Sequence, residues 1–136
     1  YTTLGKEQFR KKEEKVVCEI GKKGAAVVAL GGGSLESSMT QRLVGATGTL
    51  VYLMLSKERL LAILETNIEQ KSLPAYIDPA DPIRSFDEYY EKRHALFSSL
   101  SRQTIDLEQC SNSEVVAKLQ EIWQQIQNKE DTNGEQ

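Results

Sequence analysis

The chain has one histidine, His94, and two cysteines, Cys18 and Cys110. That supply leaves no His/Cys cluster for a transition metal, and cysteines so widely spaced form neither a disulfide framework nor a zinc-ligand pattern. Only three prolines are present, Pro74, Pro79 and Pro82, and all fall in one stretch. The longest apolar run, around Leu50–Leu55, is far short of the ~20 residues that cross a bilayer as a helix. Positive charge is also short: 17 Lys and Arg stand against 20 Asp and Glu, for a net charge of −3. No overall field exists to attract nucleic acid. Near the beginning, Lys6, Arg10, Lys11 and Lys12 lead into Glu13 and Glu14, not into the apolar stretch of a secretory signal. The expectation is a protein of a reducing, cytoplasmic compartment, with no membrane or nucleic-acid partner.

What is present fits one domain. The chain has 136 residues, 39% hydrophobic and 27% charged, which suits a soluble fold with a single core. A helix is expected from Lys6 to about Lys22, stopped by Gly21 and Gly24. Ala25–Leu30 is a continuous apolar run that reads as a strand buried on both faces of a parallel sheet. Gly31, Gly32 and Gly33 follow it. A short helix around Ser38–Val44 leads to a second strand, Thr49–Leu55, and Ser56 caps a helix from Lys57 to about Thr66. The proline-bearing stretch 67–84 has no period and reads as a mobile, functional loop. Ser85 with Glu88, and Ser111 with Glu114, have capping-box spacing and open helices at Phe86 and after Ser111. Thr104–Leu107 is a third strand. Residues 128–136 read as a polar, disordered tail. Alternating strands and helices imply an α/β sandwich with a mostly parallel sheet, which binds ligands beyond the strands' C-terminal ends.

Three features strain a purely structural reading. The glycine triplet lets a ligand approach backbone closely, although a tight turn explains it equally at this stage. It lacks the GxxxxGK[ST] spacing of a nucleotide phosphate loop. Arg93 is the second feature. At about 100° per residue, Phe86, Tyr89, Tyr90, Leu96, Phe97 and Leu100 all lie within about 60° of it. A guanidinium on an apolar face needs an anion, from the protein or from a ligand. The third is Arg10 with Glu13 on the first helix, an i, i+3 pair beside the stripe of Phe9, Val16, Val17 and Ile20. That pairing is common on charged helix surfaces, yet it also orients an Arg toward an anion.

In this order, the features resemble the shikimate kinase family. Gly5-x-x-x-Phe9-Arg10-x-x-Glu13 is similar to that family's G-x-x-x-F-R-x-x-E segment, and Val27–Gly33 resembles its strand ending in three glycines. Leu50-Val51-Tyr52-Leu53 is similar to its next strand, Arg93 falls where it has an Arg after its lid, and Ile105-Asp106 matches the start of its last strand. The resemblance implies the nucleoside-monophosphate-kinase-like fold and ATP-dependent phosphorylation of the shikimate 3-hydroxyl, with Mg²⁺, in chorismate and aromatic amino-acid biosynthesis. It gives Arg10 and Arg93 to the shikimate carboxylate, with Glu13 orienting Arg10 and Gly32 and Gly33 against the ring. It makes 67–84 the lid, and implies a monomer when full length, in the plastid if from a plant.

Departures from the family are as definite. No G-x-x-x-x-G-K-[ST] loop or following Asp is present, so 1–127 is expected to be a domain incomplete at its beginning and inactive alone. The family's central phosphate-loop strand would lie between the glycine-ended strand and Thr49–Leu55, leaving a gap for another strand or chain. The lid's Arg-Pro is Leu73-Pro74 here, with Lys71 as its substitute on the ATP side. Basic residues expected near Thr66 and Cys110 are also missing. The alternative reading is a non-catalytic binding or regulatory relative.

Overall fold

The computed structural model describes residues 5–133, and the side chains of all of these but Lys6 and 129–133. Five helices and two strands follow one another: α1 (Gly5–Ile20), α2 (Ser38–Thr47), β1 (Val51–Met54), α3 (Lys57–Glu69), α4 (Pro82–Leu100), β2 (Gln103–Asp106) and α5 (Asn112–Asn133). A short 3₁₀ turn, Ser34–Glu36, precedes α2. The strands pair in parallel, with Leu53 opposite Ile105. The result is an α/β fold with a parallel sheet in which helices predominate. Among the described residues, the buried apolar side chains are Leu35 from the 3₁₀ turn, Leu64 from α3, Ile77 from the long loop, Ile105 from β2 and Ile122 from α5.

Local chemistry sets most boundaries. Ser56 caps α3, its hydroxyl accepting from Arg59 N at 3.2 Å. Ser111 and Glu114 form the reciprocal capping box: Ser111 N donates to the Glu114 carboxylate at 2.7 Å, and Glu114 N donates to Ser111 Oγ at 3.4 Å. Gly24 turns the chain after α1 at φ +79, a left-handed value that costs a Cβ-bearing residue free energy.

Four expectations need correction. Ala25–Leu30 forms no strand and pairs with none among the described residues, and Val27 is 82% exposed. An apolar run supplies a strand's side chains but not the neighbouring backbone that a ladder requires. β1 bonds to β2 alone, so no described strand occupies its other edge. The second correction is the start of α4, which begins at Pro82 and not at Phe86. Asp81 caps it by accepting from Arg84 N at 3.3 Å, and proline suits the first helical turn because its missing N–H would be unpaired there anyway. Ser85, read as the cap, instead accepts from Asp78 N at 3.0 Å and pins the loop to the helix. The loop therefore ends earlier than 84. Third, α3 runs to Glu69, past Thr66 and into the stretch read as loop. Fourth, α5 continues to Asn133, through much of the stretch read as a tail. No Gly or Pro interrupts 112–133, and nothing local stops the helix. Residues 134–136 lie outside the described residues, as do Tyr1–Leu4.

Lys71 occupies the turn after α3 at φ 55. A non-glycine residue there is strained by about 1–2 kcal/mol. Lys71→Gly is therefore expected to raise the melting temperature, by about 1 kcal/mol of stability. An unchanged or lower melting temperature would remove the strain argument.

Candidate functional site

The site forms where α1, the glycine turn and α4 meet. Gly31 O accepts from Ser34 N at 2.9 Å and Gly33 O from Glu36 N at 3.1 Å, so the triplet folds straight into the 3₁₀ turn. Helix α1 packs against this turn and α2, and it presents Arg10 and Glu13 to the glycines. Arg10 Nη1 donates to Glu13 Oε2. The other Glu13 oxygen accepts from Ser34 Oγ at 2.8 Å. Glu13 is thus fixed from two sides, one of them the glycine turn itself.

Arg93 arrives from α4. That helix is held to the sheet by Phe97, edge-on to Tyr52 of β1 at 5.4 Å between ring centroids. His94 lies 3.3 Å from the Tyr52 hydroxyl. Burial, and next the nearby Tyr90, push the Tyr52 hydroxyl above the usual tyrosine range. Two rings flank the Arg93 guanidinium: Tyr76 from the loop at 4.6 Å and Tyr89 from α4 at 5.0 Å. Stacking of this kind suits a planar guanidinium and holds it in one orientation. A Cβ on Gly32 would lie 3.3 Å from Arg93 Nη1, and one on Gly33 would lie 2.8 Å from Arg10 Cζ. Both guanidinium groups therefore rest on the glycine turn.

The structure brings Arg10, Glu13, Gly32, Gly33 and Arg93 into one cluster. Lys71 does not join it: its side chain is exposed on the turn after α3 and takes no part in the bonds just described. Sequence reasoning missed two contributors to this cluster, Glu36 and Tyr76, and one basic residue away from it, Lys118. Glu36 lies 3.3 Å from Arg93 Nη2 and 3.9 Å from Arg10 Nη2, bridging the two arginines. Tyr76 sits in the loop without any periodic signal. Lys118 reaches Cys110 Sγ at 3.0 Å, so an ammonium stands where no basic residue was expected; it comes from α5, eight positions further on.

The G-x-x-x-x-G-K-[ST] motif that would cradle the phosphates of ATP is not among these residues. No group of three or more His, Cys, Asp or Glu side chains that could hold a metal occurs among the described residues.

Geometry and topology together define the class: an α/β protein that gathers an arginine pair at a glycine turn. The chain belongs to the shikimate kinase family, whose model matches residues 1–124. Shikimate kinase 1 of Pectobacterium atrosepticum is 32% identical over 113 residues, covering 83% of this chain and 63% of that protein. Shikimate kinase 1 of Yersinia enterocolitica is 34% identical over 101 residues, 74% of this chain and 57% of that one. The chain thus spans less than two thirds of the length of these curated relatives. Among solved structures, shikimate kinase from Acinetobacter baumannii in complex with shikimate has the same fold, with a TM-score of 0.64 at 20% identity. The likeness covers 99% of this chain and 69% of that chain.

Proposed function

We propose that the cluster at the glycine turn binds the carboxylate of shikimate, and that the protein serves ATP- and Mg²⁺-dependent phosphorylation of the shikimate 3-hydroxyl. One observation carries this reading: two guanidinium groups from separate helices converge over Gly32 and Gly33. Arg10 and Arg93 take the carboxylate, Glu13 orients Arg10, and the bare glycine backbone accommodates the ring. The loop before α4 acts as the lid, and Tyr76 ties it to Arg93. The Acinetobacter kinase, solved in complex with shikimate, supports the choice of ligand.

The 136 residues serve the acceptor side of that reaction. Phosphoryl transfer relies almost wholly on positioning and charge stabilisation around the nucleotide, and the phosphate-cradling motif is not among these residues. The chain alone is therefore inactive as a kinase. Leu73-Pro74 favours a second reading, a non-catalytic relative that binds shikimate without turning it over. A cytoplasmic, monomeric protein suits either reading, and no described helix is long and apolar enough to cross a membrane.

Calorimetric titration with shikimate and with its methyl ester tests the assignment. The acid is expected to bind and the ester to bind at least about tenfold more weakly, because the ester removes the charge that both arginines read. Equal binding of the two would overturn it. Turnover of ATP with shikimate by the full-length protein would eliminate the non-catalytic reading.

A further inference from the structure

We infer that Glu36 is a built-in competitor for the anion position, a carboxylate that contends with an arriving ligand for the same guanidinium groups. The inference rests on the proposed carboxylate site and concerns what sets its affinity. Arg10 and Arg93 bring two positive charges to the cluster, and Glu13 and Glu36 bring two negative ones. A site with Glu13 alone would carry a net positive charge for the incoming anion. With Glu36 in place it is balanced.

The two acids do different work. Glu13 is in close contact with Arg10 and is also held by Ser34, as a permanent orienting partner would be. Glu36 bridges both guanidinium groups, but at 3.3 and 3.9 Å, longer than the roughly 2.7–2.9 Å of a strong charge-assisted bond. Among the described residues, no other side chain donates to its carboxylate. It is tethered through the Gly33–Glu36 backbone bond to the turn on which the ligand would sit. Arg93 is correspondingly under-used. Glu36 accepts from Nη2 only, while the buried Nε has no partner. A carboxylate reading Arg93 edge-on takes Nε and Nη2 together, so it satisfies the orphan donor and competes with Glu36 for the same guanidinium.

Glu36 thus keeps the two like charges together and lowers the affinity for any carboxylate that enters. Shikimate binding to the full chain is measured by calorimetry for the unaltered protein, Glu36→Gln, Glu36→Ala and Arg93→Ala, with melting curves to establish folding. Glu36→Gln keeps the shape and removes the charge, and it is expected to bind shikimate about tenfold more tightly or better. Glu36→Ala is the second readout and should shift in the same direction. Unchanged or weaker binding in both Glu36 variants, with Arg93→Ala still weakened, would overturn the inference: Glu36 would then be a positioning partner like Glu13, and the carboxylate site would stand. Binding unaltered in all three variants would instead remove the site assignment, and the inference with it.

Discussion

Arg93→Ala is expected to weaken shikimate binding by about 2–4 kcal/mol, the range for losing a buried charge-assisted contact. Arg10→Ala should act similarly, because both guanidinium groups face the same glycine turn. Arg93→Lys should rescue little. An ammonium offers no planar edge to a carboxylate and no flat face to Tyr76 and Tyr89. Calorimetry checks the affinities, and a melting curve for each variant separates lost binding from lost structure. Folded Arg10→Ala and Arg93→Ala proteins that bind shikimate as well as the parent would refute the site.

Gly33→Ala carries the second large effect. Its Cβ would lie 2.8 Å from Arg10 Cζ, closer than real Cβ atoms come. The guanidinium is the far end of a long side chain, so it moves more readily than backbone. In moving it must leave Glu13, Glu36 or both. Overpacking of this kind typically costs about 1–3 kcal/mol, and here most of the cost should appear in shikimate affinity, since Arg10 is driven off the turn. Gly45→Ala is the contrast. Gly45 lies inside α2, and no atom stands within 4 Å of the place an alanine methyl would take. Alanine there should stabilise the protein by about 0.5–1 kcal/mol through helix propensity. Opposite signs for two Gly→Ala changes, read by calorimetry and melting temperature, would separate the glycine that carries a ligand group from the one that merely weakens a helix. Normal shikimate binding by Gly33→Ala would show that Arg10 does not need the turn.

These two glycines mark how far the sequence is legible. Gly31–Gly33 stand out because they follow an apolar run, and the arginine on the aromatic face of α4 stands out because it breaks a period. Both signals are local, and the structure brings these residues together. Ser56 and the Ser111–Glu114 box were equally readable, because capping acts within one helical turn. Ser85–Glu88 had the same spacing and misled, since Asp81 captured the helix start and Ser85 turned to Asp78. Ala25–Leu30 misled for a different reason: its apolar pattern says nothing about whether a neighbouring strand is there to pair.

By itself the sequence determined most of the helices, the two paired strands, the caps at Ser56 and Ser111, the charge balance and the arginine that breaks the apolar face of α4. All of these depend on residues a few positions apart. Tertiary structure alone decided that Glu36, 57 positions from Arg93, would stand between the two guanidinium groups, that Tyr76 would cover one of them, and that Lys118 would reach Cys110. The physical reason is that a charge finds its partner through space. Glu36 and Tyr76 sit in a turn and a loop, where no period fixes the direction of a side chain until the helices have packed.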